Sequence, residues 1–474
     1  MHFSTAELTR RTEQTRPILE RLRAAGCRFG QMEVPDSNGV LRGKIVPLEK
    51  ALSPRGTAFG APALAFKGGS NICFVAPWIN LTRGLWKCVA VPDPSTAVAL
   101  PWKRDVAGVL CNYYLNDGSP CVMDPRFILS CAENALAQLH YEVRLALEYE
   151  VSIYRQEEQL MREGRFAELL PFNTDSDWCS ISRTPSFEGL AKEFMTRCES
   201  AGIQVEAFHT EYGRAIFEYS LEPETAVKAA DDSVRAKLYL KELCAERGLV
   251  ASYMTARYVG PGDGYVGCHH NFSLAQGSQN IFWDPATQGL SQVARFTAAG
   301  LLETMPAFTL IHRPWVNSFR RMDRTLGSPE DASWGDDNLF VGIRVVHGAV
   351  PAEMTRFEYR APGSDVNPYL SAATILLACL HGLRERKEPP PYANGDPTLE
   401  KKWTPLPRTM PAAIELFRTS PLVRQAFDSQ FVDHLVALKE DEWKDFASAN
   451  ASPELTLAKG PVSDWEINRY FRHC

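Results

Sequence analysis

Val143-Arg-Leu-Ala-Leu-Glu-Tyr-Glu-Val-Ser-Ile-Tyr154 alternates apolar and polar residues with a period of two, the spacing of a half-buried strand. Leu145, Leu147, Tyr149, Val151 and Ile153 fall on one face, Glu148 and Glu150 on the other. Two carboxylates on one strand face repel each other unless a cation sits between them. Taken alone, the pattern fits a solvated strand face equally well.

Three further segments carry the same chemistry. Glu211 and Glu218 flank Tyr212-Gly-Arg-Ala-Ile-Phe217, whose glycine predicts a turn that brings the two acids together. His269 lies in Gly267-Cys-His-His-Asn-Phe-Ser273, although a lone histidine is more often structural than a ligand. Thr355-Arg-Phe-Glu-Tyr-Arg360 alternates again, with Arg356, Glu358 and Arg360 facing one way and Phe357 and Tyr359 the other. Guanidinium beside a metal-binding acid suits phosphate or carboxylate, because its fork bonds both oxygens. A surface ion-pair ladder is the plainer reading of that segment. Five carboxylates and one imidazole form a hard-ligand set that suits Mg²⁺ or Mn²⁺ and, through the metal, ATP.

The rest of the chain sets bounds. At 474 residues it is long for one core. Its 45% hydrophobic and 23% charged residues are ordinary for a globular protein. The net charge of −6 comes with mixed signs and no basic stretch, which argues against nucleic acid. The N-terminal stretch has no apolar run behind its charges, so it reads as an amphipathic helix with Leu8, Ile18, Leu19 and Leu22 buried, not as a signal peptide. Leu370–Leu383 is apolar but too short to span a bilayer, and predicts a buried helix with no membrane partner. Twelve scattered cysteines without a CxxC pair predict reduced thiols in the cytoplasm. Residues 28–48 read as a hairpin turning at Asp36-Ser-Asn-Gly39, and short strand-like pieces continue to 116. Asp124-Pro125 opens a helix to about Leu139, and two helices are expected near 410–428 and 430–447. The divisions expected are a helix at 1–19, a β-rich domain at 20–118 and a catalytic domain at 119–474.

In order along the chain stand Asp124-Pro-Arg126, Glu148-x-Glu150, His209-Thr-Glu211, Gly267 to Ser273, Asn317-Ser-Phe-Arg-Arg321, Ile343-Arg344, Glu358-Tyr-Arg360, Asn367-Pro-Tyr-Leu370 and Trp465-Glu-Ile-Asn-Arg-Tyr470. This ordered set resembles the glutamine synthetase superfamily nearly end to end. The resemblance implies an α+β fold, with a β-grasp-like N-terminal domain and a large catalytic domain built on a curved antiparallel sheet. It also implies stacked homo-oligomeric rings with active sites between subunits. One metal would be held by Glu150, Glu211 and Glu218, the other by Glu148, His269 and Glu358. A carboxylate would attack the γ-phosphate of ATP, and an amine would then displace phosphate. Arg344 and Arg360 would stabilise the transferring phosphoryl group, and Arg321 would hold the amino-acid substrate near Gly264, Tyr265 and Gly267. Asn271, Ser273 and Arg344 would contact ATP.

The chain departs from the family pattern around the amine. Lys67, in Phe66-Lys-Gly-Gly-Ser70, and Lys87 stand where the pattern has aspartate, and Cys179 stands where it has tyrosine. Tyr265 alters the glutamate loop, and Leu339 replaces an arginine that contacts phosphate. The flap glutamate has no clear counterpart: Gly327 falls near it, and Glu330 is a poor substitute. Two lysines for two aspartates disfavour ammonium and cationic polyamines. The expectation is therefore a γ-glutamyl-amide ligase for a neutral amine such as aniline. Ordinary glutamine synthetase, polyamine or ethanolamine glutamylation, and a non-enzymatic scaffold are the alternatives.

Overall fold

A computed structural model describes residues 3–174, 177–257, 264–322, 327–347, 352–450 and 461–474. The chain opens with a helix, Thr5–Ala24, capped by Ser4 and running past the expected end at 19. Leu22 is buried on it, and Leu8, Ile18 and Leu19 are partly so.

A six-stranded sheet follows. Phe29–Pro35 and Leu41–Pro47 form the hairpin read from the sequence, and Phe29–Pro35 also pairs parallel with Val106–Tyr114. Lys87–Pro92 and then Thr57–Gly60 extend the sheet antiparallel. Buried Asp36 closes the hairpin turn by accepting from Asn38 N at 2.8 Å, Val40 N at 3.0 Å and Arg42 Nε at 2.8 Å. The turn presses onto the start of helix Pro368–Glu385, where Asn367 Nδ2 donates to Ser37 O at 3.2 Å.

The larger sheet has nine strands. Its main path runs Val205–Thr210, Ile216–Leu221, Glu142–Arg155, Cys268–Gln276, Arg356–Tyr359, Ile343–Val346 and Trp334–Asp336. Only the last pair is parallel. The long strand Glu142–Arg155 lies at its centre, and its apolar row of Leu145, Leu147, Tyr149, Val151 and Ile153 is fully buried. Helices Pro125–Ala137 and Ala226–Glu246 pack on that strand, and Pro368–Glu385 packs on both of them. Gln292–His312 backs Pro368–Glu385 so closely that a Cβ on Gly382 would stand 2.0 Å from Phe296 O. Burying one face against helices leaves the other face free to carry charge.

Near the C-terminus, proline divides the first of the two expected helices. Met410–Thr419 ends before Pro421, which begins a separate turn, Pro421–Ala426. Helix Ser429–Ala449 follows, and all twelve cysteines are free thiols. No helix among the described residues is long and apolar enough to cross a membrane.

Candidate active site

Strand register assembles the site. On the open face of the larger sheet His209 stands opposite Glu218, and Glu218 opposite Glu150. Glu148 lies between Ser220 and His269, and Glu358 between Asn271 and Arg344. Pairing with a period of two therefore places residues from six strands in one band, although they are spread over more than a hundred positions of sequence. Glu211 reaches the band because Gly213, at φ +122°, turns the chain between Val205–Thr210 and Ile216–Leu221.

Donor atoms converge in two overlapping groups. Glu148, Glu218 and His269 can bring ligand atoms within 4.8 Å of one another, as can His209, Glu211 and Glu218. His269 Nδ1 lies 2.9 Å from Glu148 and 3.5 Å from Glu358. His209 Nε2 lies 3.1 Å from Glu218. Glu150 Oε2 accepts from Gly267 N at 2.6 Å. All six residues of the two expected sets, Glu150, Glu211, Glu218 and Glu148, His269, Glu358, stand in this band; Glu218 is common to both close groups, and His209 stands beside it. Its signal was present in His209-Thr-Glu211, where alternation puts residues 209 and 211 on one face.

Arginines close the other side. Arg344 donates to Glu358 at 3.0 Å and, through Nε, to Asp337 at 2.9 Å, while Arg360 also bonds Glu358. Buried Arg321 donates to Arg360 O at 3.1 Å and lies 3.3 Å from His269 Nε2. Gly267 makes room for it, since a Cβ there would meet Arg321 Nη2 at 2.5 Å. Gly264 packs as tightly on Tyr212 O, and Tyr265 is half-buried beside it. A cavity of about 300 Å³ opens along the same face, lined by Arg144, Glu206, Asn271, Ser273, Met354 and Arg356 among others.

Electrostatics fit a cation here. Burial raises the carboxyls of Glu148, Glu150 and Glu211 above the usual range. Burial pushes Glu218 up to about 8, with Glu148 and Glu150 adding to the rise. Hydrogen bonding to Glu218 pushes His209 up to about 9. Burial, followed by Arg360, lowers His269 to about 3, which leaves its imidazole neutral as a ligand must be. Burial would raise Glu358, but Arg360 and His269 hold it below the usual range. Crowded acids whose ionisation is opposed are relieved by a divalent ion, and oxygen donors with an imidazole suit Mg²⁺ or Mn²⁺.

Within one chain the residues assigned to the amine pocket, Lys67, Lys87 and Cys179, stand in different surroundings. Lys67 is buried, with Nζ 2.6 Å from Asp441 and 2.8 Å from Asp445 on helix Ser429–Ala449. A buried ammonium needs paired carboxylates, and the nearer in sequence of the two, Asp441, is 374 positions away. Lys87 is exposed and lines a shallow groove with Lys44, Lys50 and Arg55. Cys179 does reach the band, its Sγ 3.4 Å from His209 Nδ1. Glu330 pairs with Arg408, Leu339 is exposed, and residues 323–326, where the flap would begin, lie outside the described residues.

Residues 122–458 match the family model for the glutamine synthetase catalytic domain. Over 467 residues the chain is 27% identical to type-1 glutamine synthetase 2 of Dictyostelium discoideum, covering 96% of this chain and 85% of that one. It is 28% identical to glutamate–isopropylamine ligase of Pseudomonas sp., covering 96% and 97%. With the γ-glutamylethanolamide synthetase of Streptomyces coelicolor it shares 29% identity, covering 92% and 91%. Among solved structures, an ADP complex of GmaS superposes with a TM-score of 0.78 at 21% identity, covering 93% of this chain and 99% of that one, which supports the fold.

Proposed function

The chain belongs to the glutamine synthetase family, whose members here are ATP-dependent carboxylate–amine ligases, and from that premise we propose that it joins glutamate to an amine other than ammonia. The favoured amine is neutral at pH 7, with aniline as the type. Glutamate's γ-carboxylate attacks the γ-phosphorus of ATP and ADP leaves. The amine nitrogen then attacks the acyl carbon of γ-glutamyl phosphate, phosphate leaves, and the nitrogen loses a proton.

The residues divide this work. Glu148, His269 and Glu358, and Glu150, Glu211 and Glu218 with His209 beside them, would hold Mg²⁺ or Mn²⁺. The metal would supply positive charge to the phosphate oxygens and the carboxylate. Arg344 and Arg360, both bonded to Glu358, would stabilise the negative charge that develops on the transferring phosphoryl group. Arg321, fixed between Arg360 O and His269, holds the substrate carboxylate. The nucleotide would occupy the cavity lined by Asn271 and Ser273.

The observation that carries the choice of amine is Cys179, whose Sγ stands 3.4 Å from His209 and whose side chain is much smaller than the tyrosine of the family pattern, so that a substituent on the nitrogen would find room beside it. Lys67, its charge cancelled by Asp441 and Asp445, adds no cation. An ammonium ion needs carboxylates to hold it and strip its proton. An aromatic amine arrives with its lone pair free. Ammonia is the second reading, favoured by the 27% identity to type-1 glutamine synthetase 2. We further propose a cytoplasmic enzyme assembled in homo-oligomeric rings, with sites completed by neighbouring subunits. ATP consumption with Mg²⁺, glutamate and a panel of ammonia, isopropylamine, ethanolamine, putrescine and aniline, with product masses, tests the reading. Turnover with ammonia alone refutes it.

A further inference from the structure

We infer that Trp178, Ile181 and Tyr212 form a ledge that receives the apolar substituent of the acceptor amine. The inference rests on the ligase reading above and extends it to the side chains that select the amine.

The ledge is built, not incidental. Its backbone docks on the end of strand Val205–Thr210, where Cys179 N donates to Thr210 O at 2.9 Å and Thr210 Oγ1 donates to Asp177 O at 2.8 Å. Cys179 takes a left-handed φ of +50°, which non-glycine residues adopt only when their surroundings hold them there. The turn brings Trp178 into hydrogen-bonding contact with Glu211 and Cys179 against His209. Yet Trp178 is 64% exposed, Ile181 82% and Tyr212 55%. Single exposed apolar side chains need no explanation, but Trp178 and Tyr212 both adjoin Glu211, with Ile181 on the short helix that continues from the Trp178 turn, and together they mark a surface that something covers.

Position along the sheet identifies the occupant. Strand Val205–Thr210 passes Glu206, which lines the cavity, then His209 at the acids, and the chain continues to Glu211 and Tyr212. Strand Glu142–Arg155 likewise passes Arg144 and Ala146 in the cavity before Glu148 and Glu150. The ledge therefore lies beyond the acids from the cavity. With a nucleotide in the cavity and a carboxylate at the acids, the ledge offers an approach from the opposite side. Glutamate's own charges need charged partners, which Trp178, Ile181 and Tyr212 cannot supply. An amine R–NH₂ with apolar R matches: nitrogen reaches the acyl carbon while R covers the rings. Tryptophan and tyrosine give large contact areas for little lost freedom.

The test compares aniline with hydroxylamine, two nucleophiles neutral at pH 7 that differ in carrying an apolar group. Steady-state kinetics with ATP, Mg²⁺ and glutamate would be measured for the unaltered enzyme and for Trp178→Ala, Tyr212→Ala and Trp178→Phe, with oligomeric state followed by light scattering. The aniline-to-hydroxylamine ratio of kcat/KM should fall at least tenfold in Trp178→Ala and Tyr212→Ala, through the KM for aniline, and recover in Trp178→Phe. An unchanged ratio in variants that still use aniline overturns the ledge alone. Dissociation of the assembly in Trp178→Ala also overturns it, because the ledge would then be a contact between copies. An unaltered enzyme that uses only ammonia overturns the ligase reading and the ledge together.

Discussion

Glu218 is the residue on which the proposed chemistry concentrates, because both donor groups include it. Glu218→Gln keeps its shape and removes its charge, so the Mg²⁺ concentration for half-maximal activity should rise by about tenfold or more, read from a metal titration. Its ionisation also links metal to stability. Burial lifts Glu218 from an ordinary 4.5 to about 8 in the folded protein. An acid raised on folding contributes stability that is complete below its unfolded pKa and lost as pH rises through its folded one. The Glu218 contribution in the metal-free protein is therefore lost between pH 4.5 and 8, so Glu218→Gln should gain thermal stability relative to the unaltered protein as pH rises through that window, and Mg²⁺ should favour the unaltered protein most at its upper end. Melting curves with and without Mg²⁺ check this, and Glu218→Gln should narrow the gap. Gly267→Ala tests the space beside Arg321, since its Cβ would fall 2.5 Å from Nη2. We expect the KM for glutamate to rise about tenfold as the guanidinium is displaced, by the rough cost of about 1.4 kcal/mol for a lost contact, with circular dichroism unchanged. Sequence alternation identified Glu148, Glu150 and Glu358, but not His209, because a histidine two residues before an acid is distinctive only once Glu218 is known to face it.

At the scale of elements, backbone meets backbone where Gln292–His312 crosses Pro368–Glu385. Gly300 and Gly382 permit the contact, and a Cβ on Gly300 would stand 2.3 Å from Ala378 O. Gly382→Ala should destabilise by about 3 kcal/mol, the upper range for overpacking, because no flexible side chain can yield there. Denaturant unfolding measures it. Lys67 ties the loop at 66–70 to helix Ser429–Ala449, and Glu442 reinforces the tie by accepting from Gly68 N at 2.9 Å. Lys67→Met should cost about 2 kcal/mol in the same assay, less than a fully buried pair because Asp445 is 36% exposed. The elements themselves were legible: Asp124 caps its helix and the Asp36-Gly39 turn closes its hairpin through local bonds between near neighbours. Lys67's partners were not, since charge pairing across the whole chain leaves no local periodicity.

For the molecule as a whole, the order of motifs along the chain indicated the family, while their order across the sheet came only from register. The long strand Glu142–Arg155 has a consequence of its own. Its two faces obey one counting rule, so the hydrophobic interior and the acid band are written in the same reading frame of alternate residues. Inserting or deleting one residue ahead of Leu145 in that strand would turn Leu145, Leu147 and Tyr149 outward and drive Glu148 and Glu150 into the core. Such length variants should be lost to aggregation, whereas substitutions on the acid face should yield folded, inactive protein. In a selection for new acceptors, diversity belongs in the turns and the ledge, because length variation here forfeits fold and chemistry in the same event.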